Sequence, residues 1–282
     1  MTTRPIRAYH PIIPSSHLPC RIIAGSGRVA GRGRREVRPT DAPMENEAMQ
    51  PPTPTGRQIV KYSFFAIDPA WRHLPAERRA AGKAEFAAVV ERHAAEMPLR
   101  SYSTVGTRHD VDFCMRMWHI DVEAFTALHA EMAATDLGRH LRQPYSYLAV
   151  LRKSVYVHLE RTKPERDAGI THDSTGRKYL FVYPFVKTCP WYVLSQEDRQ
   201  RMMEEHIAIG RSYPGITINT SYSFGLDDQE FVVAFEGDKI ADFLDLVMEL
   251  RASEASQYTL RDTPSFTCIA MPVGAALDLL GG

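Results

Sequence analysis

The chain has 282 residues, 44% of them hydrophobic, and its 34 Lys and Arg are matched by 34 Asp and Glu. That length and apolar content suit one large domain or two small ones around a real core, and the balanced charge excludes an electrostatic grip on nucleic acid or an anionic membrane. No apolar run approaches the about 18 residues of a membrane span and the N-terminus lacks a secretory apolar core, so a soluble, cytoplasmic protein is expected.

Residues 1–57 come first, rich in Pro, Gly and Arg (Arg28, Arg32, Arg34, Arg35) and without apolar periodicity. They are expected to be disordered: a basic tail, an organelle presequence, or translation from a codon upstream of Met44 or Met49, the last being preferred. A first unit, residues 58–159, opens on a strand-like run from Ile59 to Ile67, passes Trp71, Leu74, Glu77 and Arg79, and enters an alanine-rich helix from about Lys83 to Glu96. A turn at Gly106 to Asp110 precedes Phe113, a helix carries Phe125 and Leu128, and a last strand is expected from Tyr147 to Tyr156. Residues 160–177, polar and carrying Pro164, Gly169 and Gly176, read as a linker.

The second unit, residues 178–275, repeats the order. A strand from Lys178 to Lys187 leads to Trp191, Leu194, Glu197 and Arg199, all at an offset of 120 from their counterparts. A turn at Gly225 to Asp228 precedes Phe231, a helix carries Phe243 and Leu246 at an offset of 118, and a strand runs from Ser265 to Met271. Each unit thus has the βαββαβ order of a ferredoxin-like fold, and the chain is α+β, its two fused units pairing their sheets. The four cysteines, Cys20, Cys114, Cys189 and Cys268, lie far apart with no zinc spacing and read as reduced thiols.

If the units share an ancestor, chemistry belongs where one has departed from the shared packing pattern. Phe86 corresponds to His206, and Ser63 to Tyr183. His206 lies on a helix opened by the capping pattern Ser195-x-x-Asp198, with Met202, Met203, Ile209 and Gly210 as neighbours, so its imidazole points into the protein. Two readings stand: a core histidine bonded to a carbonyl, or an axial ligand of haem-type iron, for which one imidazole backed by an apolar wall suffices. Gly210 would let a flat ligand or another backbone approach. Alternation places Tyr179, Phe181, Tyr183, Phe185 and Lys187 on one strand face. Tyr183 and Lys187 then stand about 13 Å apart, which suits a porphyrin-sized ligand or, equally, an aromatic core face whose lysine escapes at the strand end.

The stretches Tyr183-Pro-Phe-Val-Lys187, Trp191-Tyr-x-Leu194, Arg201-Met-Met-Glu-Glu-His206, Ile209-Gly-Arg-Ser-Tyr-Pro-Gly215 and Gly225-Leu-Asp-Asp228 resemble the chlorite dismutase family, in its coproheme decarboxylase branch. The resemblance covers residues 58–272 in architecture and is specific over 178–258. It implies a dimeric α+β barrel that assembles as a homo-oligomer, a pentamer being one such ring, with iron coproporphyrin III in the second unit. It carries the iron ligand onto His206, the redox-active tyrosine onto Tyr183 and propionate contacts onto Lys187, Arg211 and Tyr156, while Asn219 and Thr220 are expected to give the distal side polarity alone, since neither is a base near neutral pH. The implied reaction uses hydrogen peroxide to remove two carboxylates as carbon dioxide and yields haem b, with coproporphyrin ferrochelatase as a transient partner.

The strand Thr217 to Ser223 contains no arginine, whereas the chlorite dismutases of the family carry one there. His172 lies closer to Tyr183 than the distal histidine of actinobacterial decarboxylases lies to their tyrosine. The competing functions are a chlorite dismutase-like or peroxidase-like haem enzyme, a non-enzymatic haem-binding protein, and a porphyrin-free barrel in which His206 is a core residue.

Overall fold

A computed structural model describes residues 57–152, 154–156 and 176–281. The expected N-terminal extension, most of the expected linker, and His172 lie outside the described residues. The first unit comprises β1 (Ile59–Ile67), α1 (Ala76–Ala94), β2 (Leu99–Ser103), β3 (Phe113–His119), α2 (Glu123–Ala134) and β4 (Leu141–Val150). The second comprises β5 (Tyr179–Lys187), α3 (Cys189–Val193), α4 (Gln196–Arg211), β6 (Thr217–Tyr222), β7 (Phe231–Gly237), α5 (Ile240–Ala252), β8 (Thr259–Arg261) and β9 (Phe266–Ala270), with α6 (Val273–Asp278) following.

Two boundaries differ from expectation for local reasons. α1 begins at Ala76 rather than near Lys83, because Pro75 is an extended N-cap and the residues after it are good helix formers. β4 ends at Val150, which faces Ile59, the first residue of β1, and one further backbone bond, from the Leu151 N–H to the Gln58 carbonyl at 2.8 Å, ends the pairing. Tyr156 therefore lies past the strand rather than on it.

The strands run β4-β1-β3-β2 in the first unit and β9-β5-β7-β6 in the second, the same order in each. β4 pairs with β6 through Val150 and Tyr222, and β2 pairs with β9 through Tyr102 and Ala270, so eight strands close into a ring. Side chains from the β6–β7 turn mend the thin β4–β6 seam: Ser223 Oγ donates to the Leu148 carbonyl at 2.8 Å, and Asp227 accepts the Leu148 N–H at 2.7 Å. Gly225, at φ +71°, supplies the left-handed residue that this turn requires.

Alternate residues of both units, such as Tyr62, Phe64, Leu180, Val182, Val232 and Ala234, fill the ring. Buried among them, Arg116 of β3 forms an ion pair with Glu236 of β7, its guanidinium 4.5 Å from the Trp118 ring centre. The outer face of the first half-sheet packs against α1, α2 and α6 through Phe86, Phe125, Leu128 and Leu277; that of the second packs against α4 and α5 through Phe181, Phe235, Leu246 and Leu250. Cys114 and Cys268 are free and buried, whereas Cys189 is disulfide-bonded, contrary to the expectation of a reduced thiol there.

Candidate functional site

Register fixes which side chains of the second half-sheet face its helices. Tyr183 pairs with Val233 and Val233 with Thr220, while Phe181 pairs with Phe235 and Phe235 with Ile218. Directly paired residues share a face, so these two rows form a largely apolar floor beneath α4 and α5. Phe181 stacks on Phe243 of α5 with ring centres 3.9 Å apart, and the Tyr183 ring lies 5.8 Å from that of Phe235. A Cβ on Gly210 would come within 3.0 Å of Ile218 Cδ1, so this glycine lets α4 approach the floor; its first-unit counterpart is the buried Val90.

His206 projects from α4, whose start is capped by Ser195 Oγ accepting the Asp198 N–H at 3.0 Å. Its counterpart Phe86 is fully buried and packs edge-on against Phe113. His206 Nδ1 lies 3.4 Å from Ser253 Oγ, and Nε2 has no hydrogen-bond partner among the described residues. Burial, and then the positive charge of Lys187, push the imidazole pKa down to about 4, so the ring is neutral at physiological pH and keeps a lone pair for a Lewis acid. Burial pushes the Tyr183 phenol up to about 12 against the opposing charge of Arg251, so it stays protonated.

Lys187 ends β5 just past a register shift. Its ammonium donates to the Ala255 carbonyl at 2.7 Å and stands 4.4 Å from the Trp191 ring centre, and burial lowers its pKa to about 8 while Glu230 opposes the shift. Tyr156 packs its ring 6.4 Å from that of Trp191, and its carbonyl accepts from Gln200 Nε2 of α4 at 3.1 Å. Lys187, Tyr156 and Trp191 are thus gathered beside Met202, one turn before His206. Arg211 is exposed at the far end of α4.

Asn219 is not brought together with these residues. It pairs with Ala234, whose side chain fills the ring interior, so Asn219 stands on the inner face of β6, turned away from α4, with its Nδ2 buried and unpaired among the described residues. Its neighbour Thr220, exposed, occupies the helix-facing row with Tyr183. Sequence reasoning missed Ser253 and the placement of Arg251 near Tyr183. Contact between His206 and Ser253 joins residues far apart in the chain, which no local periodicity can reveal.

Two βαββαβ units closed into one ring, with His206 above a largely apolar floor in the second, define a dimeric α+β barrel. The family model described as chlorite dismutase matches residues 79–271, well over half the chain, and the chain belongs to the chlorite dismutase family. It is 34% identical to the coproheme decarboxylase of Mycolicibacterium smegmatis over 167 residues, 59% of this chain and 70% of that protein. Among solved structures it is similar to a variant of chlorite dismutase from Candidatus Nitrospira defluvii, with 25% identity and a TM-score of 0.72 over 80% of this chain and 96% of that one. A structure described as a novel heme-binding protein from Thermus thermophilus shares the fold, with a TM-score of 0.71 at 24% identity over 80% of this chain and 95% of that one.

Proposed function

We propose that the chain is a coproheme decarboxylase, an oxidoreductase that converts iron coproporphyrin III to haem b with hydrogen peroxide in haem biosynthesis. The observation that carries this reading is His206: an imidazole where the first unit has a core phenylalanine, neutral, with Nε2 unpartnered among the described residues, above a floor that includes Tyr183. The 34% identical decarboxylase supports the reaction class. The helix-facing residues of β6, namely Ile218, Thr220 and Tyr222, include no arginine, which disfavours chlorite dismutation.

The donor set fits the substrate. His206 Nε2 would take the iron. Lys187 keeps two ammonium hydrogens beyond the one given to Ala255, and Arg211 offers a planar fork, so both can meet propionates, with Tyr156 beside Lys187. Thr220 presents a hydroxyl that is no base near neutral pH, so the distal side contributes polarity alone. When bound, the substrate supplies iron for peroxide to oxidise and the carboxylates that leave. For each of two propionates the bond to the carboxylate carbon breaks, carbon dioxide departs and a vinyl group remains. A C–H bond of the carbon next to the porphyrin ring breaks as well, its hydrogen leaving as a proton with two electrons, and with a second proton from solvent these reduce one hydrogen peroxide to two waters. Tyr183 is the relay, since a phenol held protonated can give up an electron and a proton together.

Assembly as a homo-oligomer such as a pentamer, receipt of substrate from coproporphyrin ferrochelatase and a cytoplasmic location belong to the same proposal. No helix among the described residues is long and apolar enough to cross a membrane. Titrating the purified protein with coproporphyrin iron and following the Soret band tests the reading. His206→Ala should abolish or greatly weaken the complex while leaving the circular dichroism unchanged, since Phe86 shows that an uncharged side chain is tolerated there. Unchanged spectra and affinity in the variant would remove His206 as the ligand.

A further inference from the structure

The duplication that singled out His206 also identifies what holds it. At the offset of 118, Ser253 corresponds to Thr135, and both residues cap the helix before them: Thr135 Oγ1 donates to the Met132 carbonyl at 2.7 Å and Ser253 Oγ to the Leu250 carbonyl at 2.7 Å. The free lone pair is used differently. Thr135 Oγ1 accepts the Gly138 N–H at 2.9 Å, whereas Ser253 Oγ faces His206 Nδ1 at 3.4 Å.

We propose that Ser253 is the positioning residue of His206: its hydroxyl accepts the Nδ1–H, fixing the tautomer whose lone pair is on Nε2 and setting the angle of the ring. This rests on the reading of His206 as the iron ligand. A hydroxyl has one hydrogen, and here it is committed to Leu250 at the much shorter distance, so toward His206 Ser253 can only accept. Ser253 is 5% exposed, so water competes little for that lone pair. The turn carrying it is clipped to α4: Arg201 of that helix binds Glu254 through two bonds, at 2.6 and 3.0 Å, and Glu205 accepts the Glu254 N–H at 3.3 Å. The next residue, Ala255, holds Lys187 at the end of the floor strand. The serine is therefore fixed relative to both roof and floor. A ligating histidine whose second nitrogen donates to a fixed acceptor is held in one tautomer and one orientation.

The test is nitrogen NMR of the full chain labelled at histidine, without porphyrin, in wild type, Ser253→Ala and Ser253→Thr. His206 should show the Nδ1–H tautomer alone in wild type and in the Thr variant, which keeps both cap and acceptor, and a mixture of tautomers in the Ala variant. An unchanged Nδ1–H tautomer in Ser253→Ala overturns the proposal. In the ferrous coproporphyrin complex the iron–histidine stretch should move to lower frequency in Ser253→Ala and recover in Ser253→Thr, with affinity for the porphyrin falling on the order of tenfold in the Ala variant. A stretch unmoved by Ser253→Ala also counts against the role. A wild-type complex without an iron–histidine band overturns the ligand reading and this role with it, and that failure is distinguishable because the porphyrin-free spectra report the Ser253 contact alone.

Discussion

At the scale of single residues, the proposed chemistry rests on two substitutions between otherwise similar units, Phe86 against His206 and Ser63 against Tyr183. Both were legible in the sequence because duplication supplies its own control: shared positions such as Trp71 and Trp191 announce packing, and unshared ones announce something else. Asn219 against Thr220 was not legible, since one residue of strand register moves a side chain to the other face of the sheet and only the pairing with Ala234 decides it. The decarboxylase and plain haem-binder readings part at Tyr183. Tyr183→Phe keeps the ring that packs near Phe235 but removes the group that can form a phenoxyl radical. It should leave thermal stability and porphyrin affinity little changed, within the about 0.5–1.5 kcal/mol of one hydrogen bond, while haem b formation nearly stops. Mass spectrometry of the extracted porphyrin checks this, and wild-type yields of haem b from the variant would refute the radical role.

Among the elements, α2 and β1 show how the first unit satisfies the positions that the second turns to chemistry. Ser63, in the place of Tyr183, donates to His129 Nε2 at 2.9 Å, and His129 Nδ1 donates to the Phe125 carbonyl at 2.7 Å, so both nitrogens of this histidine are engaged. Burial, with the charge of Lys61, lowers the His129 pKa below its ordinary value, while the bond to Phe125 opposes the shift. The unfolded chain therefore takes up this proton first as the pH drops. The stability contributed here is complete above the unfolded pKa of about 6.5 and is lost progressively below it. Denaturant titrations of wild type and His129→Gln should show a stability difference that shrinks as the pH falls below about 6.5; a difference independent of pH would contradict the assignment. Element order was readable from hydrophobic periodicity, but two ends were not. Pro75 starts α1 earlier than the alanine-rich run suggested, and β4 stops opposite the start of β1.

For the whole molecule, closure of the ring depends on a few contacts between units that no local pattern encodes: Val150 with Tyr222, Tyr102 with Ala270, Asp227 with Leu148, and the buried Arg116–Glu236 pair. The fold class was legible because each unit carries its own period; the seams were not, because they join strands of different units. Glu236→Ala leaves the Arg116 charge buried and uncompensated and should cost about 3–5 kcal/mol. Loss should fall on both units together, with tryptophan fluorescence and far-ultraviolet circular dichroism reporting one coincident unfolding transition. Separate transitions would show that the ring does not couple the units. The function rests on the same closure, since the floor beneath His206 is the outer face of that ring. Its most direct test is to load the purified chain with iron coproporphyrin III, add hydrogen peroxide stepwise, and identify the porphyrin by mass spectrometry. The expected result is stepwise loss of two carboxylates to give haem b in the wild type and unreacted substrate with His206→Ala; a stable wild-type complex whose porphyrin keeps all four propionates through the peroxide addition would contradict the decarboxylase assignment.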